Sequence, residues 1–307
     1  MTLSLLIRVS PHENTVREKP DFFGRQGARP TVDLLKIIPE KQKGATMKKF
    51  ALFIIAALLC LPAAAHASDD ANFKYARELI GQNKIDEAKS ILLPLTADFA
   101  LTQEIRATAY FYLSYCESAE KAISYVQQAI ALGRSGSNVY FRLAQLQYKQ
   151  GMIDAAILSL DKAISEQRGQ TSRDTYKYHR LMAECNAINK DWKRAQREAD
   201  AAIYHNRNDI ESYYIRGIAY YNVNDNESAN FDEKALSDLK VYIRNCNDDN
   251  KKMECYIYIG KIHNKHERIS EAIDAFERAA RLAKDERLRN KLIWRIKSLR
   301  HANEWNS

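Results

Sequence analysis

Apolar positions between Asn72 and Ala283 recur in a doubled helical rhythm. From Asn138 to Ile164, the residues Tyr140, Leu143, Ala144, Leu146 and Gln147 keep helical spacing. Gly151 then supplies a residue suited to a left-handed helix stop. Beyond it, Ala156, Leu160 and Ala163 recur at four and three residues, on one face of a second helix. The same pairing returns in six phrases: "IDEAKSILLPL", "AEKAISYVQQAI", "IDAAILSLDKAI", "WKRAQREADAAI", "DEKALSDLKVYI" and "SEAIDAFERAA". Their alanines, Ala88, Ala122, Ala156, Ala195, Ala235 and Ala272, lie 34, 34, 39, 40 and 37 residues apart. A tyrosine-rich helical segment precedes each phrase. A small residue at these points lets two helices approach closely. A period of this size predicts stacked two-helix units rather than one globular core.

The last unit carries the fullest pattern: Tyr256, Ile259, Gly260, Ile269, Ala272, Phe276 and Ala279. The fourth supplies Met182, Ala183, Trp192, Ala195, Ala199 and Ala202. The fifth has Tyr213, Gly217 and Tyr220, followed by an insertion within "NVNDNESANFDEK". The second is off by one residue between its helices. The first, Phe73 to Leu95, diverges most and places Pro94 in its second helix. At these residues the chain resembles the tetratricopeptide repeat family, whose unit is a helix-turn-helix of 34 residues. The proline that ends the family's unit is missing throughout.

That resemblance implies an all-α fold: a right-handed superhelical solenoid of helix-turn-helix repeats over residues 68–283, closed by a C-terminal capping helix at 284–307. It implies a concave wall lined by the first helices, and a partner that is a peptide or helix of another protein. The outward positions on that wall are Tyr110, Phe141, Gln145, Tyr148, Lys177, Arg180, Glu184, Tyr214, Tyr221, Lys261, Asn264 and Lys265. Tyrosine offers contact area and a hydroxyl at low entropic cost. Lys177, Arg180, Lys261 and Lys265 would favour an acidic segment. The Lys and Asn four apart on successive units, with which some family members grip a C-terminal carboxylate, are not found. Other tyrosines fill gaps between units.

Before the repeats stands "MKKFALFIIAALLCLPAAAHA", residues 47–67. Two lysines, an apolar run and the end Ala65-His66-Ala67 have the form of a secretory signal peptide, with cleavage expected after Ala67. The protein is therefore expected to be periplasmic or secreted. Residues 1–46 lack periodicity and read as a non-native, disordered upstream extension, with Met47 as the start. The formal charge of +8 owes much to this leader; the remainder holds 37 Lys+Arg against 34 Asp+Glu. The basic balance is thus no footprint of nucleic-acid binding. What remains is concentrated between Arg278 and Arg300, where Leu288, Leu292, Ile296 and Leu299 form one helical stripe. Such a helix caps the last unit. Its charge also raises a second reading, an adaptor making weak contact with an anionic membrane or polysaccharide surface.

Catalytic patterns are lacking: no H-E-x-x-H, phosphate loop or G-x-S-x-G appears. No enzyme activity, metal or cofactor is expected. His263 and His266, three apart, lack a matching ligand pair. After export four cysteines remain, and Cys246 and Cys255, nine residues apart across one turn, form the plausible disulfide. Longer polar connections at 165–175 and 222–233 are tolerated insertions or carriers of specificity. Partner, pathway and oligomeric state are open.

Overall fold

A computed structural model describes residues 70–167, 174–223 and 228–306; the expected signal peptide and the segment before it lie outside them. All regular structure among the described residues is helical. Six helix pairs follow in chain order: α1 (70–81) with α2 (Ile85–Ala97), α3 (Gln103–Leu113) with α4 (Ala119–Ala131), and α5 (Ser137–Lys149) with α6 (Ile153–Ser165). Then come α7 (Thr175–Ile188) with α8 (Trp192–His205), α9 (Ile210–Asn222) with α10 (Ser228–Asn245), and α11 (Asp249–Lys265) with α12 (Ile269–Leu282). The last is α13 (Glu286–Asn306).

From α2 on, each helix packs on the next, and α1 shares a core cluster with α2. The seam within a pair is a contact of small residues. Ala76, Ala109, Ala144 and Ala183 on first helices are fully buried, as are all six alanines of the second-helix phrases. Gly217 and Gly260 hold the same place in the last two pairs. A Cβ on Gly260 would stand 2.7 Å from the Phe276 ring of α12, and one on Gly217 would stand 3.0 Å from Leu239 of α10.

Four pairs turn through the same hydrogen-bonded motif. Asn83, Gly151, Lys190 and Glu267 occupy the left-handed region, with φ of 59°, 72°, 60° and 57°. In each, the next residue's N–H reaches back to the helix carbonyl five residues before it, as in Lys84 to Leu79 and Asp191 to Asn186, both 2.9 Å. These bonds satisfy carbonyls that the helix end leaves unpaired. Only Gly151 adopts that conformation without steric cost. A Cβ on Gly151 would touch nothing, so Gly151→Ala is expected to cost about 1 kcal/mol through the backbone alone. The exposed Lys190→Gly is expected to gain up to about 1 kcal/mol. Urea unfolding of both variants checks the opposite signs.

Successive first helices also touch: α5 with α7, α7 with α9, and α9 with α11. No second helix packs comparably on the next second helix among the described residues. From α5 to α11 the first helices therefore make one continuous wall, and the second helices stand apart behind it. At the end, Leu292, Ile296 and Leu299 of α13 cover Phe276, Ala279 and Ala283, closing the apolar face of the last pair. Trp294 lies 22 residues after Ala272, where a following first helix would carry its small residue, and it is 67% exposed.

Cys246 and Cys255 enter one core cluster, yet both are free thiols. The expected bridge between them is not formed in this structure. Cys246 Sγ instead accepts the Asp248 N–H at 3.1 Å, which fixes the turn into α11. Burial pushes the Cys255 thiol well above its ordinary range. That keeps it protonated and unreactive.

Candidate functional site

The candidate residues separate into two groups along the first-helix wall. Phe141, Gln145 and Tyr148 of α5 face Lys177, Arg180 and Glu184 of α7 across a cleft of about 240 Å³, with Arg142, Lys149 and Leu181 completing its lining. Helical spacing explains the alignment, because residues three and four apart share a face. The Phe141 ring stacks at a tilt on Tyr178, centroids 4.4 Å apart. Tyr110 lies apart on α3, against Tyr125 at 5.8 Å. Tyr214 and Tyr221 stand on α9; Lys261, Asn264 and Lys265 stand on α11. Tyr221 meets Tyr258 edge-on at 5.1 Å, with the Lys261 ammonium 4.9 Å from the Tyr258 centroid.

The wall is cross-braced, which spacing alone does not disclose. Tyr148 hydrogen-bonds Glu184 of the next pair. Arg180 reaches Asp209 at 2.8 Å, and that carboxylate also accepts from Ser212. Tyr214 donates to Glu254 at 2.5 Å, and Lys251 binds Glu211 at 2.5 Å. Lys177 pairs with Asp174 at 2.6 Å, and Lys265 pairs with the buried Asp232 at 2.7 Å. Three of the four cations expected to meet an acidic partner are therefore engaged within the protein. Lys261 lies over tyrosine rings instead. His263 and His266 share no partner: His266 bonds Asp232 at 2.8 Å, whereas His263 is buried with its Nδ1 unpaired. Among the described residues no cluster of His, Cys, Asp or Glu could hold a metal ion.

Burial sets the electrostatics of the cleft. It pushes the Tyr148 hydroxyl up to about 12, with Glu184 adding to the effect. It also holds the Glu184 carboxyl above its ordinary 4.5, only partly offset by Arg180 and the Tyr148 hydrogen bond. An acid raised in the folded state stays protonated there while the unfolded chain has already ionised. Stability then falls as pH rises from 4.5 through the folded value. Glu184→Gln keeps an acceptor for Tyr148 and removes the buried charge. It is expected to gain up to about 1 kcal/mol at pH 7 and to flatten this slope. Denaturant titrations at pH 4.5 and 7 measure both effects.

No protein-family profile matches the chain, and no curated protein matches it. Solved structures do. PilF from Pseudomonas aeruginosa, known from its functional characterization, superposes with a TM-score of 0.57 at 11% identity, over 74% of this chain and 97% of PilF. The APC/C hetero-tetramer Cut9–Hcn1 gives 0.51 at 15% identity, over 80% of this chain and 45% of that one. The fold is that of the tetratricopeptide-repeat proteins. YrrB, described as a TPR protein with an unusual peptide-binding site, gives 0.49 at 18% identity, over 60% of this chain and 90% of its own.

Proposed function

We propose that this chain is a non-enzymatic scaffold of the bacterial envelope, exported through residues 47–67, which holds a segment of another protein against its first-helix wall. The α5–α7 cleft carries this reading. It presents Phe141, Tyr148 and Leu181 beside Gln145, Arg180 and Glu184, so apolar area and hydrogen-bonding groups converge on one concavity. Because Arg180 and Lys177 are already paired, the fitting partner is an extended or helical segment anchored by apolar side chains, with its charge secondary. The basic end of the chain is likewise partly committed. Arg289 caps α12 through the Ala283 carbonyl, Arg300 binds Glu277 and Arg278 binds Asp274.

Photo-crosslinking in the native cell tests this. A benzophenone side chain at Gln145 is expected to give discrete adducts in the periplasmic fraction. The same group at Leu158, 68% exposed on second helix α6, is expected to give none. Adducts from Leu158 alone would overturn the reading.

A further inference from the structure

The side of α13 turned away from the fold is an open surface of one charge. Leu292, Ile296 and Leu299 pack against α12. Trp294 stands two residues from both Leu292 and Ile296, half a turn round the helix, and so points outward, 67% exposed. Lys291 and Lys297, one turn before and after it, share that side, as does Arg287 two turns before it. All three cations are exposed, and their side chains bond no described residue. They differ in this from Arg278, Arg289 and Arg300, which the protein itself engages. No acidic residue occurs between Arg287 and Arg300. Asp285 and Glu286 precede them at the helix start, where Asp285 accepts the Leu288 N–H at 2.6 Å.

This face is unlike the seams that hold helices together elsewhere in the chain. In α5, α7, α9 and α11 the seam carries a small residue, Ala144, Ala183, Gly217 or Gly260, and three residues later a buried one, Gln147, Asn186, Tyr220 or His263. In α13 those two places fall to Trp294 and the exposed Lys297. A second copy of this chain would bring the same positive charge to a like-with-like contact. A polysaccharide would satisfy the cations but offers Trp294 no apolar layer. An anionic bilayer supplies both. Tryptophan settles where headgroups meet acyl chains, and each Lys or Arg near an anionic leaflet strengthens binding about fivefold.

We propose that the outward face of α13 docks the protein on the anionic phospholipid surface of a membrane, with Arg287, Lys291 and Lys297 on lipid phosphates and Trp294 among the headgroups. The helix lies along the surface, since no described helix is long and apolar enough to cross a bilayer. None of these residues lines the α5–α7 cleft, so this contact and the first-helix wall stand or fall separately.

Cosedimentation of the protein purified from its native cells tests this, using phosphatidylcholine vesicles with and without phosphatidylglycerol. Binding is expected only with phosphatidylglycerol, and is expected to fade as salt rises. Lys291→Glu/Lys297→Glu is expected to weaken it by at least tenfold. Lys74→Glu/Lys121→Glu, exposed positions on α1 and α4 with the same change in net charge, is expected to bind nearly as the parent does. Brominated acyl chains are expected to quench Trp294, read as the difference in emission between the parent and Trp294→Phe. The proposal is overturned if neutral vesicles bind equally or if the two double variants behave alike. It is also overturned if polyglutamate binds through Lys291 and Lys297 while brominated chains leave Trp294 unquenched, which would assign the face to an acidic protein segment.

Discussion

Replacing Arg216 by Met is expected to destabilise the protein by about 3–5 kcal/mol, the scale seen when one partner of a buried ion pair is removed. Arg216 on α9 joins three helices. It holds the Asp238 carboxylate of α10 through two bonds, 2.7 and 2.8 Å, and the Asp200 carboxylate of α8 at 2.7 Å. The Asp238 side chain is only 6% exposed. Burial already raises its pKa, even with Arg216 opposing the shift. Without Arg216 nothing in the arrangement opposes it, so the variant must bury an unpaired charge or take up a proton. The loss is therefore expected to shrink on acidification, because the folded variant then keeps Asp238 neutral while the unfolded chain is still ionised. Adding Asp238→Asn to Arg216→Met is expected to restore more than half of the lost stability at pH 7. Equal losses in the single and double variants would show that Arg216 acts by packing alone.

The second large effect is expected at Gly260. Gly260→Leu should cost about 3 kcal/mol, because its first added carbon already meets three atoms of the Phe276 ring within 2.9 Å. Phe276 is itself 3% exposed and packed under α13, so it has little room to yield. In a repeat fold stability is close to a sum of unit and neighbour-interface contributions. The loss should therefore be local. Native-state hydrogen exchange is expected to show faster exchange in α11, α12 and α13, with α1 to α8 unchanged. Gly260→Ala combined with Phe276→Leu should lose less than the two single changes added together. Uniform acceleration throughout the chain would instead indicate a single cooperative core.

The helix pairs were legible because their signals are local. Alanines at a regular period mark the seams, and the Leu292–Ile296–Leu299 stripe marks the helix that covers the last pair. Turns were harder to read. Only Gly151 announced a left-handed stop, yet Asn83, Lys190 and Glu267 adopt the same conformation, the last two without the intrinsic preference that Gly and Asn have for it. The wall positions could be placed on a helix face by counting. Their partners could not, because Arg180 with Asp209 and Tyr214 with Glu254 cross from one pair to the next at separations of 29 and 40 residues. His263 and His266 illustrate the same limit. Three residues apart and so near one face of α11, they still differ in role, His266 bonded to Asp232 and His263 buried with its Nδ1 unpaired.

The central claim is that the first-helix wall carries the partner. Hydrogen–deuterium exchange of the full-length protein, with and without the partner recovered through the Gln145 crosslink, tests it most directly. Protection confined to α5 and α7, with α6 and α8 unchanged, is the predicted result. Protection on the second helices or on α13, with α5 and α7 unaltered, would contradict it.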